Sequence, residues 1–597
     1  YCIMIFDKHI KDITESVLYF YTDKDISNQY IQIQKTRKDF QGDWTIIVFP
    51  LLRFSKKPLD QTANDLGSFL VQNIEYIVSF NIVKGFLNLE FSDTFWFDVL
   101  KFSFSEGFEL NKNKDNHIVV EFSSPNTNKP LHLGHLRNIL LGSSVSNILE
   151  ADGNTVSRVQ IINDRGIHIC KSMLAWSLFG NKETPDSTGM KGDFFVGKYY
   201  VLFEKKYQEE QVNLTQNGTS VEDAKLQSTL LNGAKEMLRK WEFGDKDIVS
   251  LWKKMNGWVY DGFRETYSKI GVSFDKNYYE SETYLVGKKY VLEGVKKSLF
   301  ITESDSSIWV DLTDLNLDKK ILLRSDGTAV YITQDLGTAI LRYQDFSFNK
   351  MIYTVGNEQN YHFDVLFKIL DKMNFEWASN LVHLSYGMVT LPEGKMKSRE
   401  GTVVDIDDLF EEMCQKANNI IMTSDKSAEF EELNNEDFLE KLSIMIGDAA
   451  LKYFILKTDA KKNMLFNSEE SIDFNGHTGP FIQYTYARIK SILRHAENLA
   501  LVFDVGRKMS PEEKELIKLI LEYPIIISQA AHNFNPSILA NYLYSLAKTY
   551  NHFYHKNRIL NLKNKNDMHF RVTISEKVSN LIASGMKILG INVPEKM

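Results

Sequence analysis

The stretch 118–153, IVVEFSSPNTNKPLHLGHLRNILLGSSVSNILEADG, limits what this chain can fold into more than any other. Ile118 to Phe122 is a short apolar run, the pattern of a strand buried on both faces of a parallel sheet. Ser123 to Pro130 is dense in turn-forming residues, so the chain reverses there. From Leu133 an apolar period of about 3.6 residues runs through Leu136, Ile139, Leu140, Val145, Ile148 and Leu149. Gly153 stands where a left-handed glycine closes a helix. The expectation is a strand, a polar turn and a helix, with His132-Leu133-Gly134-His135 at the turn.

Such a turn suits a phosphate-bearing ligand. A helix N-terminus offers unpaired backbone N–H groups and a partial positive charge. Gly134 lets a flat ring approach the backbone, and two imidazoles supply donors for charge that grows on phosphate oxygens. HLGH alone also fits a plain strand-to-helix turn with two surface histidines. Two additions favour the ligand. Asn126, Asn128 and Lys129 add donors just before the histidines, and GKMKSREG at 394–401 supplies a glycine-flanked cationic loop far along the chain.

At 597 residues the chain has room for three or four domains. Hydrophobic content of 43% and charged content of 25% place it among ordinary globular proteins. Its three cysteines, Cys2, Cys170 and Cys414, form no metal-binding spacing and no disulfide framework. No structural metal is expected, and a reducing cytoplasm fits. No run is long and apolar enough to span a membrane. A net charge of −8 argues against indiscriminate nucleic-acid binding but leaves room for local basic patches.

HLGH and GKMKSREG together resemble the HIGH and KMSKS signatures of class I aminoacyl-tRNA synthetases. EFSSPNTNKPLHLGHLRN, YITQD, GNEQNYHF, TGPFIQYTYAR and the terminal VPEKM narrow the resemblance to the arginyl-tRNA synthetase family, across nearly the whole chain. It implies activation of L-arginine by ATP with Mg2+ and transfer to the terminal ribose of tRNA(Arg), by a cytoplasmic monomer. Other class I synthetases would share the histidines but not YITQD or the TGPFIQYTYAR helix. An RNA-binding relative without catalysis would be expected to lose HLGH or the lysine loop.

The expected fold is α/β and multidomain. A small N-terminal α/β domain (1–115) would meet the tRNA elbow through Phe86 and Asn88. A Rossmann-like doubly wound parallel sheet (116–390) would carry a solvated helical insertion at about 178–265. The cationic loop and a connecting helical region would fill 391–470, and an all-α bundle (471–597) would bind the anticodon. The resemblance assigns catalysis to His132, His135, Lys129 and Lys395. ATP would also meet Gly134, His362, Met396 and Ser398. The second lysine of the family's loop motif is replaced here by Ser398, and Lys129 stands where relatives lacking that lysine often carry another. The arginine pocket would comprise Glu121, Ser123, Asn126, Tyr331, Asp335 and Gln359. Phe481, Tyr484, Arg488 and Met597 would meet the anticodon arm.

Overall fold

The computed structural model describes residues 2–22, 24, 26–37, 39–105, 108, 114–392, 404–423, 435–496, 507–560 and 563–597, with side chains from residue 9 onward. The chain opens on helix α1 (Cys2–Phe20) and an antiparallel sheet of β1 (Ile33–Lys35), β2 (Trp44–Ile47), β3 (Ile77–Val83) and β4 (Phe86–Phe91), in the order β1-β2-β4-β3. Lys84 and Gly85 join β3 to β4 with φ values of 48° and 83°. Two consecutive left-handed residues are what a tight hairpin needs to follow strand twist. Helix α2 (Leu59–Asn73) packs on β3, and α3 (Asp93–Ser103) follows β4.

The second unit contains the stretch that dominates the sequence. Strand β5 (His117–Glu121), helix α4 (Leu133–Ala151), β6 (Thr155–Ile162) and α5 (Ile167–Phe179) follow in order. Helices α6 (Gly192–Gln216), α7 (Thr229–Glu242) and α8 (Lys246–Lys269) then lead to β7 (Lys276–Tyr279). A small antiparallel sheet of β8 (Ile301–Thr302), β9 (Ile308–Val310) and β10 (Lys320–Leu323) precedes α9 (Tyr331–Phe346). Strand β11 (Lys350–Gly356), helix α10 (Asn360–Lys372) and β12 (Leu381–Tyr386) complete a five-stranded parallel sheet ordered β12-β11-β5-β6-β7. The chain moves outward from β5 in one direction to β6 and β7, and returns on its other side as β11. The gap beside β5 is therefore the topological switch point, where such sheets bind ligands at their carboxyl ends.

Both faces of β5 are covered, which accounts for its apolar run. Ile118 and Val120 join one core and Val119 the other. Helix α4 lies close against the segment leaving β5, because a side chain at Gly142 would meet the Phe122 ring at 2.3 Å. Arg137 on the same helix is fully buried. Its guanidinium donates to the Met388 carbonyl at 3.0 Å and to the Ala460 and Lys462 carbonyls at 3.2 and 2.6 Å. These bonds stitch α4 to the short parallel pair β13 (Val389–Thr390) and β14 (Met464–Leu465).

The insertion departs from the expected solvated decoration. Phe195, Val196, Tyr199 and Phe203 of α6 are buried, as are Met255, Val259, Phe263 and Tyr267 of α8. Only the middle of the segment is dominated by polar exposure, so polar composition misjudged its two ends. Asp164, just past β6, ties α8 to the sheet. Its main-chain carbonyl accepts from Trp252 Nε1 at 2.6 Å and Asn256 Nδ2 at 3.2 Å, and its carboxylate from Tyr260 and Ser281.

Helices α11 (Ile406–Thr423) and α12 (Glu436–Leu456) connect the sheet to a bundle of α13 (Gly479–His495), α14 (Pro511–His532), α15 (Pro536–Lys556) and α16 (Lys565–Ile588). The bundle closes on the other units. Lys514 and Lys518 of α14 pair with Asp93 and Asp43 of the N-terminal unit at 2.8 and 2.9 Å. Ser144 and Asn147 of α4 donate to the Leu589 and Ile588 carbonyls at the end of α16. No helix among the described residues is long and apolar enough to cross a membrane.

Arg137→Met should leave several buried carbonyls without donors. Each such loss costs roughly 1–3 kcal/mol, so the midpoint of urea unfolding should fall clearly, and a midpoint equal to the parent's would show that Arg137 does not hold β13 and β14 to α4.

Candidate active site

The HLGH turn is a reciprocal cap. His132 is the N-cap of α4, and its Nδ1 accepts the Gly134 N–H at 3.1 Å, while His135 Nδ1 accepts the His132 N–H at 3.1 Å. Two of the free amides at the helix start are thus satisfied by imidazole. An Nδ1 that accepts a hydrogen bond carries no proton, so each neutral ring holds its proton on Nε2. Burial, then Lys129, push His132 down to about 3. Burial, His132 and Lys129 push His135 well below the ordinary range. Both rings are therefore neutral Nε2–H donors throughout the physiological pH range. Their centroids lie 3.9 Å apart.

A cavity of about 770 Å³ opens at the carboxyl ends of β5, β6 and β7. Asn126, Asn128 and Lys129 line it on the histidine side, and Tyr331 and Gln334 at the start of α9 line it on another. Arg165, Glu242, Glu280 and Arg324 add charge of both signs to its wall. Glu280 escaped the sequence reading because it sits in no recognised motif. Burial is the main cause that pushes its carboxyl up to about 7; Arg165 opposes the shift, and Asp164 and Asp335 add to it. Asp335, one turn into α9, bonds His362 Nε2 through Oδ2 at 2.6 Å. His362 thus joins the Asp335 group, which brings two motifs together across α9 and α10. Tyr331 is 78% exposed, leaving its ring available at the rim, and Gln359 is exposed just past β11. Lys395, Met396 and Ser398 lie outside the described residues.

Two members of the expected arginine pocket are engaged elsewhere. Glu121 is buried and forms an ion pair with Arg342 of α9, which is also buried. Burial works against the Arg342 charge, but Glu121, Tyr353 and Tyr278 outweigh it and hold the guanidinium above its ordinary range. Glu121 is thus not a lone carboxylate awaiting a cation, since the chain supplies its own guanidinium. Ser123 is also buried, and its Oγ bonds the Tyr267 hydroxyl at 2.6 Å, facing the insertion helix rather than the cavity.

The RNA-facing candidates divide as well. Phe86 is partly exposed, with Arg37 5.0 Å above its ring. Asn88 is fully buried, its Oδ1 accepting from Thr45 Oγ1 at 2.6 Å and its Nδ2 donating to Asn81 at 2.9 Å. Those bonds consume its amide within the sheet, so the reading of Asn88 as a base contact is corrected. Arg488 lies 4.9 Å from the Tyr484 ring and 5.0 Å from the Tyr554 ring. Phe481 packs beside Tyr544, with ring centroids 5.3 Å apart. Met597 packs partly buried against the bundle core.

A doubly wound parallel sheet whose switch point carries a histidine-capped helix is the design of a class I aminoacyl-tRNA synthetase catalytic domain. The family model "tRNA synthetases class I (R), catalytic domain" matches residues 102–468, and "DALR anticodon binding domain" matches 482–597. The chain belongs to the arginine–tRNA ligase family. It is 50% identical over 598 residues to the arginine–tRNA ligase of Bacteroides thetaiotaomicron, covering 99% of both chains. It is 52% identical over 585 residues to that of Parabacteroides distasonis, covering 96% of both. The Thermus thermophilus arginyl-tRNA synthetase structure shares the fold, with a TM-score of 0.75 at 22% identity over 99% of this chain and 100% of that one.

Removing one partner of a buried ion pair leaves an uncompensated charge, at a cost of about 3–5 kcal/mol. Arg342→Met should therefore destabilise strongly, and Glu121→Gln placed in the same chain should recover part of the loss. Urea unfolding of the single and double variants checks this, and a single variant as stable as the parent would contradict the pairing.

Proposed function

We propose that this chain charges tRNA(Arg) with L-arginine, using ATP with Mg2+ as the substrate complex and releasing AMP and pyrophosphate. The observation that carries the reading is the pair of neutral Nε2–H donors at the start of α4, beside a cavity whose lining includes Lys129 and the Glu280 carboxyl. In the first step an oxygen of the arginine carboxylate attacks the α-phosphorus, a P–O bond forms, and pyrophosphate leaves with the electrons of the broken bond. Charge grows on the phosphate oxygens, and fixed donors at a helix N-terminus stabilise it without reorganising. His132, His135 and Lys129 supply that stabilisation, with Gly134 leaving room for the nucleotide and Lys395, Met396 and Ser398 contributing from the cationic loop. In the second step a ribose hydroxyl attacks the adenylate carbonyl and AMP departs. No side-chain nucleophile is required.

Asp335 and Glu280 accept the substrate guanidinium, with Tyr331, Gln334 and Gln359 at the rim. A planar fork of donors matches two carboxylates, whereas a lysine ammonium would leave acceptors unpaired. His362 orients Asp335 through their hydrogen bond. Residues 1–115 would meet the tRNA elbow through Phe86, and residues 471–597 the anticodon arm through Phe481, Tyr484, Arg488 and Met597. Residues 116–390 would hold the reaction, and 391–470 would link it to the bundle. The enzyme would work as a cytoplasmic monomer.

Steady-state charging with arginine and ATP varied separately tests the assignment. Asp335→Asn should lower kcat/KM for arginine about 10²-fold, a loss of about 2.8 kcal/mol at about 1.4 kcal/mol per decade, while apparent affinity for ATP stays within a few-fold. An Asn variant that charges arginine as well as the parent would remove Asp335 from the pocket.

Glu280 gives the pocket a pH dependence with a definite sign. Its raised pKa, about 7, means that the carboxyl gains a proton as pH falls through neutrality, and arginine then loses a charged partner. Between pH 8 and pH 6, kcat/KM for arginine should fall toward about tenfold per unit below the pKa, and Glu280→Gln should remove that limb. His132 and His135, neutral down to low pH, would contribute nothing in this window. A limb that survives in Glu280→Gln would place the titrating group elsewhere.

A further inference from the structure

Residues 404–406 run antiparallel against the HLGH turn. The Leu133 N–H donates to the Val404 carbonyl at 3.2 Å, the Ile406 N–H donates to the Leu131 carbonyl at 3.0 Å, and His132 faces Asp405 across the bridge. Leu133 is the first residue of α4, so Val404 satisfies the helix-start amide that neither imidazole reaches. The two imidazole bonds set the direction of the rings, and the Val404 bond holds the backbone of the turn that carries them.

The segment is fastened one residue further on. Asp407, in the first turn of α11, accepts from Lys191 Nζ at 2.7 Å, Thr266 Oγ1 at 2.9 Å and Lys269 Nζ at 3.0 Å. Lys191 precedes α6 and also pairs with fully buried Asp193 at 3.2 Å. Thr266 and Lys269 belong to α8, and Gly262 on that helix leaves the space Asp193 needs, since a side chain there would lie 2.4 Å from Asp193 Oδ1. Two lysines balance two carboxylates in a mostly buried cluster, and partly buried Asp405 stands beside it. Such a cluster is rigid, because breaking any one pair strands a charge.

We propose that Asp407 is a positioning residue for the phosphate-facing histidines, fastening the segment that braces the HLGH turn to insertion helices α6 and α8. The proposal rests on the reading of His132 and His135 given above. It assigns the insertion a catalytic consequence: α6, which lines the cavity through Tyr200, and α8 together hold the segment that aims its donors. Placement errors of the order of 1 Å at reacting groups cost about 10²-fold, and loosening one bracing segment should cost less.

Charging kinetics on three variants test it. Asp407→Asn should lower kcat about tenfold with KM for arginine essentially unchanged, because Glu280 and Asp335 sit on other elements. Lys269→Met, which leaves Asp407 its bonds to Lys191 and Thr266, should show a smaller fall with the same split, and it carries the test should Asp407→Asn not fold. Asp448→Asn breaks the similarly buried Asp448–Lys452 pair in α12 and should lower Tm while leaving kcat near that of the parent. A parental kcat in Asp407→Asn would overturn the proposal, as would losses of kcat in Asp407→Asn and Asp448→Asn that simply follow Tm. His135→Ala is run alongside. If it keeps its kcat, the histidine reading fails and the brace with it, whereas if only Asp407→Asn keeps its kcat, the brace alone fails.

Discussion

The site depends on how the first amides of α4 are satisfied. A helix start leaves N–H groups that must find acceptors, and here two come from imidazole nitrogens and one from the Val404 carbonyl. This arrangement couples structure to chemistry. Accepting at Nδ1 forces the proton of each ring onto Nε2, and burial keeps both rings neutral. An aspartate cap would hold the helix equally well but, as an acceptor-only carboxylate, would present no donor to a phosphate. The histidines are therefore read twice by the fold, once as caps and once as donors, and Gly134 between them keeps the space over the helix start free of a side chain.

Charge in the interior is handled by pairing, and the pairs decide which carboxylates remain for a ligand. Glu121 is the acid nearest the histidines in sequence, yet Arg342 holds it. Asp164 is buried, but its carboxylate accepts from the Tyr260 and Ser281 hydroxyls and the Ser281 amide. Glu280 lines the cavity without an ion-pair partner among the described residues. Its raised pKa reflects that incomplete compensation, as is common at binding sites. A guanidinium arriving there supplies what the chain leaves missing, whereas at Glu121 it would have to displace one already seated.

Local periodicity made the centre of the fold legible. The apolar runs of β5 and β6, the helical period of α4 and the terminating Gly153, with φ of 90°, were readable because each depends only on near neighbours in sequence. What failed depended on distant partners. Asn88 looked free until Thr45 and Asn81 closed around it. Glu121 looked like a waiting carboxylate because Arg342 lies more than two hundred residues away. The insertion looked solvated because polar residues dominate its composition, while its buried residues recur sparsely along long helices. Glu280 had no motif to mark it, and only the return of the chain along β7 brings it to the cavity.

Helix α4 also touches the elements that join the units. Its N-terminus forms the cap, Arg137 holds β13 and β14, and its last turns donate through Ser144 and Asn147 to the closing carbonyls of α16. Asp152, just beyond its end, accepts from Ser528 of α14 at 2.8 Å, and α14 in turn holds the N-terminal sheet through Lys514 and Lys518. A side-chain bond to a helix C-terminus needs the donor placed within a few tenths of an ångström, so the bundle is seated on the same helix that presents the histidines. The N-terminal unit and the C-terminal bundle are thereby both tied to the helix that carries the HLGH turn. Sequence separation hides this entirely, because the relevant partners are a serine and an asparagine inside an apolar helix, residues that composition would assign to packing alone.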